Sequence, residues 1–145
     1  MPTETSQILL LDTHVWIWLV EGLTNQLGHT ALRRLQAASA SGRLRVSIIS
    51  VWEVAMLHSK GRVQCLPTVD EWIHRNLRAP GLQLIDLTPE IAVDSSRLPN
   101  LAHADPADRI LVATARRLTG TLVTRDRALL RYARAGHLTA FDAAR

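Results

Sequence analysis

Cysteine is almost absent from this sequence. Cys65 is the only one among 145 residues, which excludes an intramolecular disulfide, a cysteine-based zinc site and a redox cysteine pair. Long apolar runs are missing as well, since the longest, Val15–Val20, is far shorter than the roughly 20 residues that cross a bilayer. No signal-peptide pattern opens the chain. We therefore expect a cytoplasmic protein with no membrane span.

Lysine is as scarce as cysteine. Lys60 is the only one, although Lys and Arg together number 17 against 13 Asp and Glu residues, which gives a net charge of +4. Arginine therefore carries almost all of the positive charge, and its planar guanidinium group fits phosphate oxygens. A polyanionic partner explains this balance, and so does a GC-rich genome that favours arginine codons. Net charge alone does not decide between the two.

Aromatic residues make up only 4% of the chain, and tryptophan accounts for most of them. A tryptophan offers a flat face on which a nucleobase can stack. Tryptophans among apolar neighbours more often pack a core or an interface. We therefore expect Trp16, Trp18, Trp52 and Trp72 to be mainly structural.

The remaining composition is that of an ordinary globular protein. Hydrophobic residues make up 47% of the chain and charged residues 21%, which is enough apolar surface for a core and excludes a disordered chain. The length is close to that of one typical domain. We expect a single domain over residues 1–145.

Strand and helix patterns alternate along the chain. Short apolar runs predict strands at 8–11, 44–49, 82–87, 121–124 and 138–141. Helical spacing and capping residues predict helices that begin near residues 13, 28, 50, 68, 88, 105 and 126. This alternation is typical of an α/β layer sandwich around a mainly parallel sheet.

Two tetrapeptides match the capping-box pattern, in which Ser or Thr caps a helix and an acid stands three residues later. These tetrapeptides are Ser50–Glu53 and Thr68–Glu71. Asp105 precedes another strongly helical segment and is predicted to cap it. Each cap fixes the expected start of a helix.

Four acids occupy comparable positions along the chain. Asp12 directly follows the first strand, Glu53 lies in the first turn after the second, Asp108 lies in the first turn of a helix, and Asp126 follows the fourth strand. Ligands of open parallel sheets bind beyond the carboxyl ends of the strands. The pattern therefore predicts that the four acids converge in one cleft.

Clustered carboxylates indicate a divalent cation, because they repel one another and raise one another's pKa unless a cation offsets them. Oxygen ligands without cysteine or paired histidines favour Mg²⁺ or Mn²⁺ over zinc. Such an ion polarises a phosphodiester and activates a bound water, while arginines hold the nucleic-acid backbone. The cluster therefore predicts phosphodiester hydrolysis.

Each acid also has a purely structural explanation. Glu53 and Asp108 fit the third position of a helix, where an acid stabilises the helix start. Asp126 fits an N-cap and Asp12 fits a turn. Taken singly, capping is the better explanation for Glu53 and Asp108, and only the recurrence of acids at one sheet edge favours a functional cluster.

Four segments carry a family resemblance: LLLDTHVWIW, SIISVWEVAMLHSKGRV, HADPADRILVATA and TLVTRDRAL. In this order and spacing they resemble the PIN-domain family, and in particular the VapC toxins of type II toxin–antitoxin systems. The resemblance spans nearly the whole chain. It implies a three-layer α/β/α sandwich, a magnesium-dependent endoribonuclease that cleaves RNA, a homodimer, and inhibition by a VapB-type antitoxin that inserts into the active-site groove.

The resemblance also assigns roles to the four acids. Asp12 and Asp108 correspond to direct metal ligands, Asp126 completes the site partly through water, and Glu53 binds metal or activates the nucleophile. Asp105 is left as a helix cap. Thr13 has a supporting role next to the site, where it also suits a cap. His14 and His103 are excluded from the site because neither has a second histidine at ligand spacing.

Two other functions fit the same fold. A non-catalytic module would bind RNA or a protein partner, with the acids serving only as caps. A phosphatase or phospho-receiver would use Asp12 as a nucleophile. The phosphatase pattern needs a second aspartate at position 14, which is a histidine here, and a receiver needs an acidic pair before its phosphorylated strand, so the second alternative fits poorly.

Overall fold

The computed structural model describes residues 6–101 and 104–145. The helices of this part are Thr13–Val20 (α1), His29–Ala40 (α2), Ile48–Ser59 (α3), Val69–Leu77 (α4), Pro89–Ser96 (α5), Pro106–Leu118 (α6) and Arg127–Arg134 (α7). The strands are Leu9–Leu11 (β1), Leu44–Ser47 (β2), Leu82–Ile85 (β3), Thr121–Thr124 (β4) and Ala140–Asp142 (β5). His103 lies outside the described residues.

The five strands form one sheet in the order β3-β2-β1-β4-β5, and every neighbouring pair is parallel. Parallel neighbours need a crossover between them, and at least one helix follows each of the first four strands. The prediction of an α/β fold with a mainly parallel sheet is confirmed. β1 lies at the centre of the sheet, with Leu11 paired to Val123 of β4.

Helices cover both faces of the sheet, because successive side chains of a strand point to opposite faces. Leu9 and Leu11 pack with α1, α2, α3 and α4 in one apolar core. Leu10 lies between them in sequence and packs with α6 and α7 in a second core. The three-layer α/β/α arrangement is therefore confirmed.

The start of α3 differs from the prediction. β2 ends at Ser47, and the Oγ of Ser47 accepts a hydrogen bond from the Ile49 amide at 3.1 Å, so Ser47 is the N-cap. The expected cap, Ser50, lies inside the helix and is fully buried. The prediction was wrong because Ile48 and Ile49 are β-branched residues that extend the strand pattern in sequence.

The other predicted caps are confirmed. Thr68 accepts from the amide of Glu71 at 3.1 Å, Thr88 from that of Ile91 at 3.2 Å, and Asp105 from that of Asp108 at 2.8 Å. The last strand begins at Ala140 rather than at Leu138, because Leu138 packs against α6 and α7. β3 ends at Ile85, two residues before the predicted end. No helix in the described part of the chain is long and apolar enough to span a membrane.

Candidate active site

The predicted site lies at the carboxyl ends of β1 and β4, which Asp12 and Asp126 follow. The chain places β2 and β3 on one side of β1, then crosses to the other side for β4 and β5. The crevice between β1 and β4 is therefore the point where the strand order reverses, which is where open α/β sheets bind their ligands. The amide of Asp12 donates to the carbonyl of Val123 at 3.0 Å, and this bond holds the first acid at that crevice.

Both carboxylate oxygens of Asp12 are held by neighbouring donors. Oδ1 accepts from the Thr13 amide at 2.8 Å, which makes Asp12 the N-cap of α1. Oδ2 accepts from Oγ1 of Thr124, the last residue of β4, at 2.6 Å. Asp12 is thus a helix cap rather than the predicted turn residue, and it presents a fixed carboxylate to the crevice.

Glu53 is attached to the same place through Thr13. Oγ1 of Thr13 lies 2.5 Å from Oε1 of Glu53 and 2.8 Å from Oγ of Ser50. Thr13 and Ser50 are almost completely buried, so this contact joins α1 to α3 in the interior. The capping explanation for Glu53 is wrong because no acid lies in the first turn of α3.

Asp108 lies in the first turn of α6 behind its cap, Asp105. Burial and then the negative charges of Asp105, Asp12, Asp126 and Glu53 raise the pKa of Asp108 to about 7. These charges belong to acids at α1, α3, α6 and α7, and all of them act on the carboxyl of Asp108. The charges of the other three predicted acids thus reach the carboxyl of Asp108.

Asp126 has both a structural and an electrostatic role. Its Oδ1 accepts from the amides of Ala128 and Leu129 at 2.8 and 3.1 Å, so it is the N-cap of α7 as predicted. Its own amide donates to Thr124 Oγ1 at 3.0 Å. Since the cap uses Oδ1, the second carboxylate oxygen can serve another ligand.

The acidic cluster of Asp12, Glu53, Asp108 and Asp126 forms no ion pair with arginine or lysine. Within residues 6–101 and 104–145, the ion pairs of Arg and Lys with acids all involve Asp94. Burial raises the pKa of Asp12 and of Glu53, and neighbouring acids act in the same direction. Hydrogen bonds from threonine and the charge of His14 lower both pKa values. His14 therefore offsets part of the cluster's negative charge, and no arginine or lysine of the described residues pairs with it.

This donor set fits a hard divalent cation in its chemistry, because it offers carboxylate and hydroxyl oxygens and no thiolate. In the described part of the chain, no three Asp, Glu, His or Cys side chains are grouped closely enough to hold one ion. The metal-ligand roles of the four acids stay predictions.

Two residues of the site were missed by the sequence reasoning. Thr124 binds both Asp12 and Asp126, and Ser50 contacts Thr13. Thr124 closes the apolar strand TLVT immediately before the RD dipeptide, and this polar strand end was the available signal. Ser50 gave a misleading signal because it matches a capping box.

The arginines of the C-terminal third divide into different structural roles. Arg109 donates to the carbonyls of Ala104 and Ser95, both at 3.2 Å, so it ties α6 to α5. Arg117 pairs with Asp94 at 3.0 Å. Arg125, between Thr124 and Asp126 in the chain, lies over the ring of Trp18 at 5.4 Å and is exposed. Arg125 is thus an exposed basic side chain next to Asp126 in sequence.

The fold is that of a PIN domain. A family model described as "PIN domain" matches residues 9–135, which include all four acids. A relative, Ribonuclease VapC22 of Mycobacterium tuberculosis (strain ATCC 25618 / H37Rv), is 32% identical over 121 residues, covering 83% of this chain and 88% of the relative. The chain belongs to the PIN-domain family, and the predicted resemblance is confirmed.

Solved structures support the same fold. The DNA-bound VapBC of Salmonella typhimurium matches with a TM-score of 0.63 and 19% identity over 95% of this chain and 99% of that one. VapBC2 of Rickettsia felis, bound to a promoter DNA fragment, matches with a TM-score of 0.63 and 13% identity over 92% of this chain and 97% of that one. At these identities the likeness concerns the fold.

Proposed function

We propose that this protein is the toxin of a VapBC-type toxin–antitoxin pair and a Mg²⁺- or Mn²⁺-dependent endoribonuclease. The observation that carries the proposal is the position of Asp12 and Asp126 at the strand-order reversal, where their charges and that of Glu53 raise the pKa of Asp108. No arginine or lysine of the described residues pairs with these four acids. The 32% identical relative is named a ribonuclease. This name and the acidic cluster support the same reaction class.

The bound cation would be held by Asp12 and Asp108, with Asp126 acting partly through water and Glu53 binding metal or activating the nucleophile. A divalent ion in such a site polarises the phosphodiester and lowers the pKa of a bound water. Asp12 is preorganised for this role because its two oxygens are fixed by the Thr13 amide and the Thr124 hydroxyl.

Glu53 is the residue proposed to activate the nucleophile. Burial raises its pKa, which makes its carboxylate a stronger base toward the attacking water. Water attacks phosphorus and gives a proton to the Glu53 carboxylate, the bond from phosphorus to the 3′-oxygen breaks, and the departing 3′-oxygen takes up a proton from solvent. The products of this hydrolysis are a 5′-phosphate and a 3′-hydroxyl.

The partners follow from the same assignment. Two solved structures with this fold are VapBC assemblies, which supports a VapB-type antitoxin as the binding partner of this chain. RNA is the proposed substrate, with exposed arginines such as Arg125 holding its phosphates. A homodimer is the proposed assembly, on the basis of the family resemblance.

The test is cleavage of end-labelled total RNA by the purified protein in Mg²⁺, Mn²⁺ or EDTA. Asp12→Asn and Asp108→Asn should abolish discrete, metal-dependent cuts while the variants stay folded. Asp86→Asn is the matched control, because Asp86 is an exposed acid that directly follows β3, two strands away from β1. Equal cleavage by the wild type and the two active-site variants would refute the proposal. An inactive but RNA-binding wild type, freed of antitoxin, would support the non-catalytic module.

A further inference from the structure

Trp52 differs from the other tryptophans of the chain. Trp16 and Trp72 are 0% and 1% exposed and pack against each other in the core, with ring centroids 5.2 Å apart. Trp52 is 56% exposed on α3, one residue before Glu53. Because burying so large an apolar side chain is favourable, an exposed indole next to the acidic cluster indicates a binding surface.

Trp52 borders a cavity of about 430 Å³ between α3 and the start of α6. Its described lining residues are Ile49, Trp52, Glu53, Asp105, Pro106 and Ala107. We call this cavity the Trp52 pocket. Its volume lies in the range of small-ligand pockets, about 300–1,000 Å³. Glu53 belongs both to this pocket and to the acidic cluster, so a ligand of the pocket reaches the cluster directly.

The lining defines the chemistry of the occupant. An indole face and the ring of Pro106 suit a flat group that can stack. The charged groups are the carboxylates of Glu53 and Asp105, which accept hydrogen bonds and repel phosphate. A nucleobase with an exocyclic amine has the required flat face and N–H donors, and it carries no charge.

We infer that the Trp52 pocket binds a nucleobase of the RNA substrate, adjacent to the phosphodiester that is cleaved. The inference rests on the proposed nuclease function and adds a specificity site to it. A nucleotide whose phosphate lies at the acidic cluster has its neighbouring base within reach of the pocket, because Glu53 lines the pocket and also belongs to the cluster. Guanine, adenine and cytosine carry the amine that the carboxylates recognise, and uracil lacks it.

A protein partner could also place a flat or basic side chain on Trp52. The position of the pocket favours a nucleobase. Glu53 lines the pocket and also belongs to the acidic cluster, so an occupant of the pocket lies next to the reacting centre. The partner alternative is separated from the inference by the experiment below.

The experiment compares wild type, Trp52→Ala, Trp52→Phe and the control Leu87→Ala on a pool of single-stranded RNA oligonucleotides of random sequence. Leu87 is 42% exposed and lies outside the pocket. Cut sites are sequenced, and kcat and KM are measured on the preferred oligonucleotide. Binding of the same oligonucleotide in EDTA is followed by fluorescence anisotropy of a dye at its end, because Trp52→Ala and Trp52→Phe lack the indole itself, and circular dichroism checks folding.

Trp52→Ala should raise KM and the EDTA dissociation constant by about 5- to 150-fold, the loss expected for one stacked base. It should also flatten the base preference at one position beside the cut, with a smaller effect on kcat. Trp52→Phe should recover most of the affinity, and Leu87→Ala should behave as the wild type.

Unchanged KM, affinity and base preference in Trp52→Ala would overturn the inference while leaving the nuclease intact. If that variant also fails to copurify with a coexpressed antitoxin, the pocket belongs to the protein partner. RNA binding without cleavage by the wild type would refute the proposed function, and the EDTA affinities would still decide the role of Trp52. If the wild type neither binds nor cleaves RNA, the inference about the Trp52 pocket and the proposed function are both overturned.

Discussion

The hydroxyl of Thr124 donates a hydrogen bond to Asp12 Oδ2 at 2.6 Å, although the two residues are 112 positions apart in the chain. Thr124 is fully buried at the end of β4, and Asp12 directly follows β1. The contact therefore fixes the carboxylate that the resemblance identifies as a metal ligand. It also connects the fourth acid of the site to the first, because Thr124 accepts from the amide of Asp126.

Thr124→Val should lower both stability and activity. Valine keeps the shape of threonine but removes the hydroxyl, which leaves a buried carboxylate oxygen without its donor at a cost of about 1–3 kcal/mol. Urea unfolding and RNA cleavage measure the two effects, and cleavage should fall in kcat.

Thr121→Val is the matched control for that substitution. Thr121 lies on the same strand and is 2% exposed, and its Oγ1 has no hydrogen-bond partner among the described residues. Removing an unpaired buried hydroxyl should leave stability unchanged or raise it. Equal losses of stability in both variants would contradict the proposed role of the Thr124 hydroxyl.

Thr13→Val should lower activity more than stability, because the Thr13 hydroxyl holds Glu53 Oε1 at 2.5 Å. Valine fills the buried space next to Ser50 without restraining the carboxylate. Thr13→Ser keeps the hydroxyl and should restore kcat. A loss of kcat that serine does not rescue would show that the methyl group, rather than the hydroxyl, matters at this position.

The stability of the metal-free protein should fall as the pH rises from about 4 to about 7. The pKa of Asp108 is about 7 in the fold, above its ordinary value of 3.8, so the folded state keeps a proton that the unfolded chain releases in this window. Asp12 and Glu53 act in the same direction, since their pKa values are also raised. Asparagine at position 108 cannot ionise, so Asp108→Asn should reduce the decrease in the free energy of unfolding between about pH 4 and about pH 7. Urea unfolding in EDTA at several pH values measures this decrease. An equal decrease in the variant and the wild type would contradict the raised pKa of Asp108.

Mg²⁺ or Mn²⁺ should raise the melting temperature of the wild type, because an ion that binds only the folded state stabilises it by mass action. Asp108→Asn should lose most of this increase, and Asp86→Asn should keep it. Thermal unfolding with increasing metal concentration measures the difference. Equal increases in all three proteins would show that the ion binds elsewhere.

Ser47→Ala should cost about 0.5–2 kcal/mol, the usual value of an N-cap, because Ser47 holds the Ile49 amide at the start of α3. Ser50→Ala tests the cap that the sequence predicted wrongly. Its effect should appear mainly in kcat, through the contact of Ser50 with Thr13. Urea unfolding of both variants separates the two serines.

Much of the fold was readable from local sequence. Apolar runs such as Leu9–Leu11 and Thr121–Thr124 predicted strands, and Thr68, Thr88 and Asp105 marked helix starts. These signals work because hydrogen bonding at a cap and apolar periodicity involve residues close together in the chain. The boundary between β2 and α3 was lost because Ile48 and Ile49 fit both a strand and a buried helix.

The sequence by itself determined which residue types are available: four acids near predicted strand or helix ends, no cysteine pair, and positive charge carried by arginine. It placed Asp86 inside a predicted strand at 82–87, whereas Asp86 directly follows β3 in the structure. Only the strand order separates Asp86 from Asp12 and Asp126, by placing β1 beside β4 and leaving β3 at the sheet edge. Likewise, only packing separates the buried Trp16 from the exposed Trp52. Both decisions depend on contacts between residues far apart in the chain, which local patterns do not encode.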